Sequence, residues 1–595
     1  MQDIFDDLYE KSKQGKTFGN LLDIITREQN ILLAYRTIKR NKGSKTAGVN
    51  RRTIIDWETK EPEQYIEYVR KRLQNFFPHK VKRVEIPKAD GRLRPLGIPT
   101  MEDRLIQQCI KQVLDPVLEA KFHPMSFGFR PNRSTSHAVS TFIFRMNRSK
   151  ADFVVDIDIK GFFDNVNHEK LLKQLWTLGI RDKRLLTILS KMLKAEIEGI
   201  GKPDKGTPQG GILSPLLANV VLNELDWWID SQWMSFQTPE LTPKYNVKGV
   251  LNKGYTYTKL RRDTTLKEMY IVRYADDFKI LCREKEDAEK AFIAIKLWLK
   301  DRLGLEVNEE KSQIVDVRFG SSEFLGFRFK KKQKNKKWVV FSHLTEKSKS
   351  NAIETLKKGL EVIKHSPTEH NVYRYNSKVL GLQNYYKMAT HVNLDFGKID
   401  YKISKFRYSK IKGVMSEKGN PCKLYKATYK GYNYKKQFVA GVCLFPVPAV
   451  RHVYPTGFTQ QICDYTVEGR NLIHEHLRAV NMRILHYLME NPPINGSLEL
   501  TDNRISLYSA QLGRCFVTRE ILEIGDMECH HKLPKERDGT DEYNNLVWVT
   551  HNVHELIHAT RPETIEKYLK LIVPNKDTIR KLNILRETAG NIMIT

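Results

Sequence analysis

The stretch Arg273-Tyr274-Ala275-Asp276-Asp277-Phe278, inside MYIVRYADDFKIL, constrains this chain more than any other. Apolar and β-branched residues flank two adjacent carboxylates, which reads as a β-hairpin with the aspartates at its tip. Carboxylates side by side repel one another and call for a neutralising partner, most simply a divalent cation. Taken alone the tetrapeptide also fits an ordinary turn, because Asp is a common turn residue.

A second source of carboxylates lies upstream in ADFVVDIDIKGFFDNVNHEKLL. FVVDIDI alternates with period two, so Asp156 and Asp158 share one face of a strand. Asp is disfavoured in strands, and an acidic face on an apolar strand is unusual. A strand end that presents Asp158 to the Asp276–Asp277 hairpin assembles three carboxylates. Such a site suits two hard cations about 3.5–4 Å apart and in-line phosphoryl displacement.

The charge balance points to a polyanionic partner. Lys and Arg number 100 against 70 Asp and Glu, a formal net charge of +30. An excess spread along so long a chain fits nucleic acid, although it also keeps a protein soluble. Hydrophobic residues make up 40% of the 595, enough for the cores of several domains. No apolar run reaches the length of a membrane span, and MQDIFDDLYEKSKQG does not read as a secretory leader. The seven cysteines are scattered, odd in number and without a C-x-x-C pair, which suits free thiols in a reducing interior.

Residues 1–80 read as helical, and within them NLLDIITREQNILLAYRTIKRNKG ends in a basic loop at Lys42–Gly48 that suits a phosphate backbone or a plain helix-to-helix turn. VKRVEIPK, Ala89-Asp90-Gly91 and RLRPLGIP read as a hairpin whose Lys88, Arg92 and Arg94 suit a triphosphate. SFGFRPNRSTSHAV sets Arg130 and Arg133 in a loop that reads as nucleic-acid contact, with Ser134 or Thr135 capping the next helix. Pro208-Gln209-Gly210-Gly211 reads as a tight turn where a backbone approaches a ligand. Residues 230–268 read as an irregular polar insertion, and FKKKQKNKK as a solvated or phosphate-facing run. Between 340 and 480, Lys and Arg interleave with Tyr, a pattern for phosphate contact and base stacking, or for a helical core with wet hydroxyls. Asn491–Gly496 reads as a linker.

Residues 511–560 carry His530, His531, His551, His554 and His558. His554 and His558 stand at i and i+4 on one helix face, a metal-ligand spacing. MECHHKLP and YNNLVWVT read as strands, so two strands and a helix are expected around one ion.

In order and content, RLRPLGIPT, SFGFRPNRS, DIKGFFDNV, TPQGGILSPLLAN, YADD, EEKS, EFLG and YNSKVLGLQNYY resemble reverse transcriptases of the group II intron maturase type. The resemblance implies an α+β multidomain chain. It would hold an N-terminal extension and template-binding loop at 1–80, right-hand fingers and palm at 81–335, and a helical thumb or maturase domain at 336–480. It makes Asp158, Asp276 and Asp277 the catalytic aspartates holding two Mg²⁺, with the Ile159 carbonyl as a further metal ligand. Phe163 would lie under the incoming sugar and exclude a 2′-OH. Gln209 would touch the nucleotide, Lys88 and Arg94 would clamp its triphosphate, and Lys311 would protonate the departing pyrophosphate. The implied partners are the intron RNA in a ribonucleoprotein, target DNA and deoxynucleotides, inside a bacterial cell or an organelle, with no membrane.

The pattern His530-His531, Asn545, His554-x-x-x-His558 resembles HNH endonucleases, a ββα-metal module, here at 511–595 after a linker or DNA-binding region at 481–510. By that resemblance His531 activates water, His530, His554 and His558 hold one divalent ion, and Asn545 orients the loop. Imidazole favours softer ions such as Zn²⁺, while Mg²⁺ stays open for turnover. The module departs from its family where Cys515-Phe516-Val517-Thr518 and Thr550-His551-Asn552-Val553 stand in place of two C-x-x-C pairs, so no Cys₄ zinc is expected. Two rival readings are an RNA-binding splicing factor with a vestigial polymerase, and a reverse transcriptase serving a host task without an intron.

Overall fold

The structure is a computed structural model that describes residues 1–594 except 40, 59–61, 88–92, 209, 237–252, 477–483, 485–486, 489–490, 492, 494–497 and 573. Lys88, the Ala89–Arg92 turn, Gln209, and much of the 230–268 insertion and of the 491–496 linker therefore lie outside the described residues. The chain divides into two compact units. The first is Met1–Phe341 with Tyr454–Asn471, and the second is Ser342–Val453 with Leu472–Thr595. The composition is mixed α and β throughout.

The first unit opens on helices, including Gln2–Lys13, Glu28–Lys39 and Pro62–Gln74, whose apolar faces bury Phe5, Leu8, Ile31, Ala34 and Val69. A hairpin follows, β1 (Lys82–Pro87) antiparallel to β2 (Leu93–Ile98). The central sheet has four antiparallel strands in the order β4-β5-β3-β6. These are β3 (Phe153–Ile157), β4 (Met269–Tyr274), β5 (Asp277–Cys282) and β6 (Gln313–Asp316). Strand β3 is buried along its whole length because both faces are covered. The helix Ser214–Gln232 packs against β4 and the helix Lys285–Trp298 against β3 and β5. Strands β7 (Ser322–Phe324), β8 (Phe327–Lys334) and β9 (Lys337–Leu344) form a second sheet.

Three expectations are corrected in this unit. Arg130 is 6% exposed; it donates to both carboxylate oxygens of Glu119 and to the carbonyls of His123 and Ser126. Arg133 stacks 4.2 Å over the ring of Phe458 and donates to the Pro124 carbonyl. The SFGFRPNRS loop is therefore an internal brace, with the Arg130 guanidinium spent on protein acceptors and that of Arg133 on Pro124, Gln460 and the Phe458 ring. Within the lysine run, Lys331 is 5% exposed and pairs with Asp152. Inside the supposed irregular insertion, Lys253–Asp263 is a helix. The loop Lys42–Gly48 begins as a 3₁₀ turn held by Arg104, which donates to the carbonyls of Gly43 and Thr46.

In the second unit, three long helices, Glu346–His365, Glu369–Tyr386 and Val392–Ile411, bury Leu356, Leu360, Val372, Tyr375, Phe396 and Ile403. A small antiparallel sheet follows: β10 (Met415–Ser416), β11 (Phe438–Val439) and β12 (Val442–Cys443). The tyrosines split between the two readings. Tyr373, Tyr375, Tyr425 and Tyr429 are core, whereas Tyr401 and Tyr408 are exposed. Farther on, β13 (Met527–His531) pairs antiparallel with β14 (Leu546–Thr550), and the helix His551–His558 follows at once. Among the described residues no helix is long and apolar enough to cross a membrane.

Candidate active sites

Antiparallel pairing sets the backbone segments that carry the acids side by side. Strands β3 and β5 pair Asp156 with Lys279 and Ile157 with Phe278. The ladder ends there, leaving Asp158 as the next residue beyond β3 and Asp277 as the first residue of β5. The β4–β5 turn consists of Ala275 and Asp276, with Ala275 at φ 59°. Asp158 is fixed at both backbone ends: its amide donates to the Ser312 hydroxyl at 3.0 Å, and its carbonyl accepts from the Asn308 amide at 2.7 Å. Lys311 Nζ lies 3.6 Å from Asp158 Oδ2. Ile159 bridges Val307, but the flanking Asp158 and Lys160 supply the ladder bonds, so the Ile159 carbonyl is not part of that ladder.

Arg273, fully buried, shapes the turn from below. Its guanidinium donates to both oxygens of Asp226, to Asn219 Oδ1 at 2.9 Å and to the Ala275 carbonyl at 2.8 Å. The SFGFRPNRS loop locks the same strand, with Phe127 N donating to the Arg273 carbonyl and Arg273 N to the Met125 carbonyl. Gly128 has no room for a side chain: a Cβ there would sit 2.3 Å from the Ala275 nitrogen.

Asp277 feels opposed influences. Burial raises its pKa, Lys279 pulls it down, and Asp156 and Asp276 push it up again; the net direction is upward. Burial alone would lower the pKa of Lys279, but Asp277 and Asp156 outweigh it. The crowding of Asp277 by Asp156 and Asp276 is what a divalent cation relieves, and Asp158, beyond the end of β3, offers a further oxygen donor of the kind that suits a hard ion.

Phe163 lies in the short helix Phe162–Asn165, and its carbonyl accepts from the Thr207 amide at 2.7 Å. With Thr207, Pro208 and Gly97 it lines a cavity of about 290 Å³. Gly210 approaches β2 so closely that a Cβ would lie 2.6 Å from the Gly97 carbonyl oxygen. Arg94 stands on β2, paired with Ile86.

In the second unit, His530 ends β13 with His531, and His554 and His558 share a face of the helix His551–His558. Ligand nitrogens of His530, His554 and His558 all lie within 4.8 Å of one another. No other set of three or more such donors among the described residues is this compact. Burial, and then the neighbouring His554 and His558, drive the pKa of His530 down to about 3, and its buried Nε2 has no hydrogen-bond partner among the described residues. A buried, neutral imidazole with an unmatched nitrogen fits a metal ligand.

His531 Nε2 lies 2.8 Å from Asp541 Oδ1, a partner that sequence reading missed. Asn545 ties the intervening loop: its Oδ1 accepts from the Leu533 amide at 2.9 Å, and its Nδ2 donates to the carbonyls of Leu533 and Thr540. Cys515, fully buried, takes the Thr550 amide on its sulfur at 3.4 Å, and Phe516 N donates to the Trp548 carbonyl.

These features define a class, a reverse transcriptase: a family model described as reverse transcriptase (RNA-dependent DNA polymerase) matches residues 86–337, which hold Asp158, Asp276 and Asp277. The chain belongs to the group II intron-encoded proteins, being 30% identical over 463 residues to the group II intron-encoded protein LtrA of Lactococcus lactis subsp. cremoris, a match covering 68% of this chain and 75% of that relative. It is also similar to protein YkfC of Escherichia coli (31% over 325 residues; 53% of this chain, 83% of the relative). A third relative is a putative COX1/OXI3 intron 2 protein of Saccharomyces cerevisiae (25% over 468 residues; 67% and 53%).

Proposed function

We propose that this chain copies its intron RNA into DNA, helps that RNA to splice, and nicks the DNA target whose 3′ end then primes the copy. The observation that carries the polymerase part is the register of β3 and β5, whose last pair, Ile157–Phe278, leaves Asp158 and Asp277 next along the two chains, with Asp276 in the adjoining turn. The fingers and palm correspond to 81–335 and the helical thumb to 336–480, the helices of the second unit supporting the latter.

When bound, divalent cations supply charge neutralisation of the phosphates and a lowered pKa for the primer hydroxyl. Asp158, Asp276 and Asp277 hold them. Asp158 is itself held at its backbone amide and carbonyl by Ser312 and Asn308, which fixes the point from which its carboxylate projects. Lys311 gives a proton to the leaving pyrophosphate, a role that its Nζ, 3.6 Å from Asp158 Oδ2, supports. Phe163, braced by Thr207, supplies the wall beneath the sugar, and Lys88, Arg94 and Gln209 take the remaining nucleotide contacts.

At the second site, His530, His554 and His558 hold one divalent ion. His531 removes a proton from water, with Asp541 steadying its Nε2 and Asn545 fixing the loop between the strands. A compact set of donors beside a separate histidine supports an HNH-type nick. Splicing assistance needs no catalytic residue, only a basic surface that follows the folded RNA.

Target-primed synthesis tests the combination. The full chain with its intron RNA is given double-stranded DNA spanning the exon junction. Wild type nicks and extends. His554→Ala with His558→Ala abolishes nicking but extends a pre-nicked target. Asp276→Asn with Asp277→Asn nicks without extending. Extension of an uncut target by the histidine variant would contradict the division of labour.

A further inference from the structure

The metal reading of Asp277 leaves its buried neighbour unexplained. Lys279 is 7% exposed, and its ammonium lies 3.3 Å from Asp277 Oδ1 and 3.2 Å from Asp156 Oδ1. Asp156, 6% exposed, faces Lys279 directly across the β3–β5 ladder and takes the Ser322 hydroxyl on the same oxygen at 2.8 Å. Asp277 stands two residues before Lys279 on β5, so all three side chains project from one face. The ring of Phe324 closes the far side, its centroid 5.9 Å from Nζ.

A lysine buried against Asp277 alone would form a closed pair and compete with a divalent ion for that carboxylate. Asp156 divides the attraction of the ammonium. It also removes the cost of an uncompensated buried charge. Ser322 in turn limits how strongly Asp156 draws on the lysine. The three residues set how much of Asp277 is left to a metal.

Resting on the metal reading of Asp158, Asp276 and Asp277, we propose that Lys279, counterbalanced by Asp156, is a positioning residue that holds the Asp277 carboxylate and sets the divalent-ion affinity of the polymerase site.

The test reads binding apart from turnover. Mn²⁺ binding to the full chain is followed by the spin-resonance signal of free Mn²⁺, in a His554→Ala, His558→Ala background that removes the histidine site. Asp156→Asn leaves Lys279 to Asp277 alone, so Mn²⁺ binds about tenfold more weakly. Asp156→Asn with Lys279→Met removes the competing cation without leaving a buried charge, so Mn²⁺ binds about tenfold more tightly. Primer extension by that double variant slows at saturating metal, because Asp277 is no longer held, while KM for the nucleotide stays within about twofold. Ser322→Ala, a mild change expected to keep the fold, lets Asp156 draw harder on Lys279 and tightens Mn²⁺ binding about twofold.

Opposite shifts from Asp156→Asn and the double variant support the proposal, because a merely structural pair would weaken binding in both. Equal or unchanged affinities in the two overturn it, as does unchanged binding in Ser322→Ala if the double variant fails to fold. Mn²⁺ binding that survives Asp276→Asn with Asp277→Asn would show that the metal reading itself had failed, and the proposal with it.

Discussion

The guanidinium of Arg273 grips the carboxylate of Asp226 through three hydrogen bonds of 2.6–3.0 Å, with both side chains at most 1% exposed. The same guanidinium holds the Ala275 carbonyl, so the pair sets the shape of the turn that carries Asp276 and Asp277.

Breaking one side of this pair strands a buried charge, which costs about 3–5 kcal/mol. Asp226→Asn therefore lowers the unfolding free energy of the first unit by about that amount, measured by denaturant melting. Primer extension falls with it even in the fraction that remains folded, since Ala275 loses its tether. A variant of wild-type stability would show that Asp226 carries no charge burden.

Gly128 is a steric test of the same turn. Gly128→Ala places a methyl 2.3 Å from the Ala275 nitrogen, so the loop or the turn has to move. Extension drops about a hundredfold, by the usual sensitivity of positioned groups to displacements near 1 Å. Helical content by circular dichroism changes little.

His137 makes the first unit sensitive to pH. Its Nδ1 accepts the Ser134 amide in a capping box, which requires the neutral ring. Burial, and then Arg133, lower its pKa to about 4 from an ordinary 6.5. The folded state thus resists a proton that the unfolded state accepts. The stabilising contribution is complete above about pH 6.5 and is lost progressively as pH falls towards about 4. His137→Gln keeps an acceptor for the amide and flattens this slope in melts between pH 7 and pH 4.5, a window on the same order as the shift itself.

Asn545→Asp tests the loop of the second site. The new carboxylate still accepts the Leu533 amide but turns repulsive towards the carbonyls of Leu533 and Thr540. Nicking falls about ten- to a hundredfold, in the range for outer supports of a metal site, while primer extension is unchanged. Loss of both activities would contradict separate sites.

Much of this was legible in the sequence, for identifiable reasons. Period-two alternation in FVVDIDI announced β3, the apolar and β-branched residues flanking the carboxylates of MYIVRYADDFKIL announced the β4–β5 hairpin, and the i, i+4 histidines announced the helix His551–His558. Local pattern could not reveal whether an arginine is spent inside the protein. Arg130 and Arg133 look like surface cations until Glu119 and Phe458 arrive from elsewhere in the chain. The same holds for Asp226 and Lys279. Each is a charge set in a mainly apolar segment, LANVVLNELDWWI and DFKILC, and that oddity was the available signal for a buried partner. Asp541 gave no comparable signal, because an acid in GTDEYNN reads as turn.

The most direct measurement is primer extension on an RNA template with Mg²⁺ and deoxynucleotides, comparing wild type with Asp277→Asn at matched folding and RNA binding. The account predicts extension by wild type and its loss, by at least about a thousandfold, in the variant, as expected for removal of a group that acts in the transition state. Undiminished extension by Asp277→Asn would contradict the assignment of the β4–β5 turn as the polymerase centre.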